Sequence, residues 1–181
     1  APGRVVTDSA MVSVPADAKP GDYAGDLHFE NLRGEKGRPI IIAGANPDRP
    51  PHFRGGNGMH FVNPAFLELH HLHISGASGN GINIDDGSTA GTLETVNGGI
   101  TIGERAQVRS AETVNGGIRL GDGAQADELE TVNGGITIGA SAVVRDGAST
   151  VNGGIRLESA ANVGGRVETV NGGITLDRAH I

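Results

Sequence analysis

The sequence predicts an all-β fold, a single-stranded right-handed parallel β-helix (β-solenoid) in which coils of about 23 residues are followed by coils of about 18. Three observations carry this. Thr-Val-Asn-Gly-Gly-Ile occurs five times, beginning at Thr95, Thr113, Thr131, Thr150 and Thr169, and the starts lie 18, 18, 19 and 19 residues apart. A unit this short cannot hold a helical pair of about 33 residues, and the Ile-x-Ile and Ile-x-Leu pieces have the strand period of two. Glycine fills 31 of 181 positions and aromatics only 3%, which excludes a globular core built on large side chains. Hydrophobic residues still reach 36% and recur regularly, which argues against disorder.

Written as three sides, a coil reads Glu-Thr-Val-Asn, then Gly-Gly-Ile-x-Ile/Leu, then a stretch such as Arg105-Ala106-Gln107-Val108, and so predicts a triangular cross-section. Stacking brings equivalent residues about 4.8 Å apart. Ile100, Ile118, Ile136, Ile155 and Ile174 form an interior spine beside Ile102, Leu120, Ile138, Leu157 and Leu176. A second interior column, Leu93, Ala111, Leu129, Ala148 and Val167, lies three residues before the Val of each motif, which puts a corner or bulge at the intervening Glu-Thr. Asn97, Asn115, Asn133, Asn152 and Asn171 each precede Gly-Gly at the next corner, where Asn and Gly tolerate left-handed backbone angles. Stacked Asn amides hydrogen-bond along such a column.

The spine continues backwards. Asn80-Gly81-Ile82-Asn83-Ile84 precedes Ile100 by 18 residues, and Asn57-Gly58-Met59-His60-Phe61 precedes Asn80 by 23. Val12/Val14, Leu27/Phe29, Ile40/Ile42, Leu67/Leu69 and Leu72/Ile74 read as inward pairs, separated by the turn-rich stretches 18–22 and 46–51. One continuous solenoid therefore has an irregular part, residues 1–90, and a regular part, residues 91–181. The join to 23-residue coils argues for the right hand.

Lys19-Pro20-Gly21-Asp22-Tyr23-Ala24-Gly25, Gly37-Arg38-Pro39-Ile40-Ile41-Ile42-Ala43-Gly44 and Phe66-Leu67-Glu68-Leu69 through Ile84 resemble the N-terminal coils of the pectate-lyase-like superfamily of right-handed parallel β-helix proteins. The later repeats are similar to bacterial adhesin-type or bactofilin-like solenoids, whose short coils also read Val-x-Gly-x-Ile. No one family carries both halves, and the chain resembles a fusion, natural or engineered.

Lys+Arg number 14 against 21 Asp+Glu, a net charge of −7 that opposes the phosphate neutralisation nucleic-acid binding requires. Zero cysteines exclude disulfides, thiolate metal sites and a Cys nucleophile. No apolar run reaches the roughly 18 residues of a membrane span, and the start at Ala1 fits a mature secreted, extracytoplasmic bacterial protein or simply a trimmed chain. The Gly-Gly pairs lead into strands with no Lys beyond, so they are not phosphate loops.

The stacking offset places His60 beside Asn83 and Asn63 beside Asp86, so that Asn63, Asp85 and Asp86 form an oxygen-rich patch suited to a hard cation such as calcium or to carbohydrate. The pectate-lyase-like resemblance implies acidic clusters of this kind with a basic residue that abstracts the proton α to a uronate carboxyl. The following coils instead present Thr101, Arg119, Thr137, Arg156 and Thr175 in alternation, a departure that leaves no catalytic residue assigned. The same alternation breaks any flat Thr plane for ice. His70, His71 and His73 read as two residues at a turn and one facing solvent, and the Glu94, Glu112, Glu130 and Glu168 column as like charges at strand spacing. No resident cofactor or metal is expected. The reading is a non-enzymatic structural or scaffold solenoid, with a secreted protein acting on acidic polysaccharide as the alternative. An open C-terminal end is expected to pair with its like in a homodimer.

Overall fold

The computed structural model describes residues 11–14, 23–44, 50–77 and 80–181. Among the described residues all regular structure is strand, and all pairing between named strands is parallel, arranged in two nine-stranded sheets. The turns at 18–22 and 46–49 and the side chains of Val12 and Val14 lie outside the described residues. In one sheet the short strands Ile82–Ile84, Ile100–Ile102, Ile118–Leu120, Ile136–Ile138, Ile155–Leu157 and Ile174–Leu176 stack in register. Met59 pairs with Ile82, which is the step from the 23-residue coil to the 18-residue one.

The spine is buried as expected. Ile100 is 0% exposed, Ile118 2%, Ile136 1% and Ile155 1%. Each such side chain contributes about 1.5–3 kcal/mol of transfer free energy. Ile174 keeps the register of the column but is 38% exposed, because no described strand covers it from above. Leu67, Leu69, Leu72 and Ile74 are buried, while Leu27, Phe29 and Ile40 pack against the core from its margin.

The second sheet shows how the other two sides of the coil are joined. The two remaining sides form one continuous strand per coil, such as Gln107–Asn115, Gln125–Asn133 and Val143–Asn152. Along Gln107–Asn115 the buried residues are Val108, Ala111 and Thr113, so the bend falls at Arg109-Ser110, where two successive side chains point outward. Beyond the bend alternation is strict, which turns Thr inward and leaves Val114 40% and Val132 39% exposed. The expected corner at Glu-Thr is therefore misplaced. Its physical reason is a carbonyl. Thr113, Thr131, Thr150 and Thr169 each donate Oγ1 to the first Gly carbonyl of the coil before, at 2.8–2.9 Å, and Val could not satisfy that acceptor. In Val143–Asn152 the register slips between Ala126 and Glu128 of its neighbour, so the additional residue of the 19-residue spacing sits at this same bend.

The glycine rationale also changes. None of the Asn-Gly-Gly corners has a positive φ; the left-handed column is Gly87, Arg105, Gly123, Ser141, Ala160 and Arg178, with φ between 52 and 67. Asn-Gly-Gly needs glycine for close approach instead. A β-carbon at Gly134 would lie 2.0 Å from the Gly116 carbonyl oxygen, and one at Gly153 2.0 Å from that of Gly134.

Candidate functional site

The outer face of the short-strand sheet carries His28, His60, Asn83, Thr101, Arg119, Thr137, Arg156 and Thr175 as one column in register. Period-two alternation puts them there, because their neighbours on both sides fill the core. His60 Nε2 lies 2.7 Å from Asp85 Oδ1, and its ring meets that of His28 edge to face with centroids 5.0 Å apart. His28 Nε2 in turn lies 3.1 Å from Glu30 Oε1.

The rest of the expected patch is used elsewhere. Asn83 Oδ1 accepts from Asn80 Nδ2 at 3.1 Å, and the same amide donates to Thr101 Oγ1. Asn63 donates to Asn31 Oδ1 at 2.8 Å and accepts from Arg33 Nη2 at 2.7 Å, so its bonds run toward the preceding coil. Asp86 Oδ1 accepts the Glu104 backbone N–H at 2.8 Å, and Asp122 does the same for Ala140 at 2.9 Å. That repetition makes Asp86 a turn brace. Among the described residues no three His, Asp or Glu side chains converge in a way that could hold a metal ion. What remains is a part-buried imidazole–carboxylate pair, able to hydrogen-bond a hydroxylated ligand.

The histidine run is more engaged than its sequence indicates. His71 is the residue at the turn, with φ 54. His70 is bracketed, Nε2 3.3 Å from Glu68 Oε2 and Nδ1 3.5 Å from Glu94 Oε1. His73, expected to face solvent, is half-buried. Its ring stacks on His52 with centroids 4.1 Å apart, and its Nε2 lies 2.6 Å from Asn97 Nδ2. The partnership with His52 was hidden because the irregular coils have no constant offset. The pairing of His52 with His73 follows only once strand His52–Val62 is seen to pair with both His73–Ser75 and Ile82–Ile84.

From Asn97 onward the Asn column is a hydrogen-bonded ladder. Asn115, Asn133, Asn152 and Asn171 each donate Nδ2 to the Oδ1 of the Asn one coil earlier, at 2.7–2.9 Å. Beside it runs a trough of about 390 Å³, lined by Val96, Val114, Val132 and Val151 with Glu94, Glu112 and Glu130, and meeting Pro50 and His71 at one end. Burial, followed by the charges of Glu94, Glu130 and Glu128, pushes the Glu112 carboxyl above the usual value of 4.5.

Comparison of the chain with protein-family models, curated proteins and solved structures gives no match. The fold and the columns define the class, a parallel β-solenoid repeat protein. Among the described residues no helix is long and apolar enough to cross a membrane.

Proposed function

We propose that this chain is a non-enzymatic structural solenoid that serves as a self-associating scaffold. One observation carries the reading: the buried spine of Ile100, Ile118, Ile136 and Ile155 and the ladder from Asn97 to Asn171 run in register through successive coils, so that each coil presents the same outer columns as the one before. The likeness of the regular repeats to adhesin-type and bactofilin-like solenoids supports a scaffold role. Sedimentation across a wide concentration range tests it. A concentration-dependent oligomer is expected; a monomer at the highest concentration overturns the reading.

The His60–Asp85 pair favours a second reading, a carbohydrate-active protein whose N-terminal coils resemble the pectate-lyase-like superfamily. Polygalacturonate or alginate, with and without calcium, decides between them. No cleavage is expected, whereas cleavage lost in His60→Ala would establish the second reading.

A further inference from the structure

The Asn ladder has a direction, and one titratable group stands at its start. Asn115 Nδ2 donates to Asn97 Oδ1 at 2.7 Å, which turns the Asn97 Nδ2 toward His73. An amide nitrogen has only protons to offer, so His73 Nε2 must present its lone pair, and its ring proton is on Nδ1. Every later rung repeats this polarity as far as Asn171. The alternative polarity, with each Asn rotated by half a turn about its terminal bond, would contain the same number of amide bonds. Only the contact at His73 distinguishes the two.

We propose that the protonation state of His73 sets the polarity of the whole ladder. Neutral His73 accepts from Asn97 and holds the observed direction. A proton on Nε2 makes it a donor facing a donor, and rotation of the Asn97 amide relieves the conflict by offering Oδ1 instead. That rotation places Nδ2 of Asn97 against Nδ2 of Asn115, so the conflict passes from rung to rung until Asn171 has turned. Asn115, Asn133, Asn152 and Asn171 are exposed, so their amides rotate in water without disturbing the core. The outcome at the far end is chemical: Asn171 exchanges an outward carbonyl oxygen for an outward amide N–H. Protonation at one coil thereby alters which hydrogen-bonding partner the last described coil accepts. The inference stands on the ladder alone and does not depend on the scaffold reading.

The surroundings keep His73 in the accepting state near neutrality. From strand His52–Val62 the facing groups are His52 and Arg54, and from strand Thr89–Asn97 the facing group is the uncharged Asn97 amide. Glu94, the one acidic residue of Thr89–Asn97, is engaged by His70 and His71. His52 Nε2 lies 2.6 Å from Ser75 Oγ. Burial first, then His52 and Arg54, hold the His73 imidazole below its ordinary value of 6.5. Reversal is therefore an event of the acidic side, below the ordinary imidazole value.

Side-chain amide NMR of the ¹⁵N-labelled full chain, titrated from about pH 7.5 to about pH 4.5 across the histidine range, tests it. The Nδ2 signals of all five ladder asparagines are expected to shift together, with the midpoint read from the His73 ring, while backbone amides in the same strands stay in place. His73→Gln, whose amide does not titrate, should abolish that common transition, and His70→Gln should preserve it. Backbone dispersion establishes that each variant is folded, and the unmodified chain is a sufficient test without them. A shift confined to Asn97 would show a local break, and no ladder response as His73 titrates would show that the two are uncoupled; either result overturns the proposal.

Discussion

Thr131 donates Oγ1 to the Gly116 carbonyl oxygen at 2.8 Å, and that oxygen stands 2.0 Å from where a β-carbon of Gly134 would lie. One acceptor thus explains two letters of the repeated motif. The corner turns a carbonyl inward, the Thr of the next coil satisfies it, and the first Gly of that coil must stay bare to fit over it.

The two glycines of each pair are therefore unequal. At Gly135 a β-carbon would meet its nearest neighbour, the Gly154 carbonyl oxygen, at 3.2 Å, a tight contact that a small shift relieves. Gly134→Ala should cost about 3 kcal/mol or more, since backbone must move to admit it, and Gly135→Ala about 1 kcal/mol or less. Denaturation midpoints of the two variants check this; equal losses would contradict the packing account.

Threonine at the first repeat behaves oppositely to the others. Thr95 Oγ1 is buried without a partner, whereas Thr131 Oγ1 is bonded. Thr95→Val should stabilise by about 1 kcal/mol by removing an unsatisfied hydroxyl, and Thr131→Val should destabilise by about 1–2 kcal/mol by orphaning the Gly116 carbonyl. Thermal unfolding of both, measured against the parent, decides the sign.

The spine, its pairing partners and the Asn ladder were legible from five copies of a six-residue motif, because a constant offset turns sequence spacing directly into contact. Inward and outward assignment around Thr-Val was not, since Val is the better apolar residue and the deciding carbonyl belongs to another coil. In the candidate site, His60 and Asn83 pair as the offset implied, but Asp85, expected with Asn63 and Asp86, turns to His60 instead, and Asn63 and Asp86 are drawn to backbone and neighbours that spacing does not reveal. His52 and His73 meet across irregular coils, where no period connects them.

The left-handed column offers a gain in stability. Ala160 sits at φ 60 in a position that Gly87 and Gly123 occupy in other coils. A residue with a β-carbon there costs about 1 kcal/mol relative to glycine, partly offset by the greater freedom of glycine in the unfolded chain. Ala160→Gly should raise the melting temperature, and Gly123→Val should lower it by a larger amount, because β-branching is poorly tolerated at positive φ.

Glu112 should make stability depend on pH in a sense opposite to that of an ion-paired carboxylate. Burial and the neighbouring Glu94, Glu130 and Glu128 raise its folded value above 4.5, so the folded chain binds a proton there more readily than the unfolded chain does. Ionising it therefore costs stability above the raised folded value, and that cost disappears as the pH falls through it to below 4.5. Glu112→Gln should accordingly raise the melting temperature at neutral pH and leave it unchanged at about pH 4. Added salt should shrink the neutral-pH difference by screening the charge repulsion, leaving the part that arises from burial. Combining Glu112→Gln with Glu130→Gln should give less than the sum of the two, because each substitution removes the repulsion that the other relieves. A melting temperature for Glu112→Gln that falls at neutral pH would mean that the row is held together by cations bound between its carboxylates.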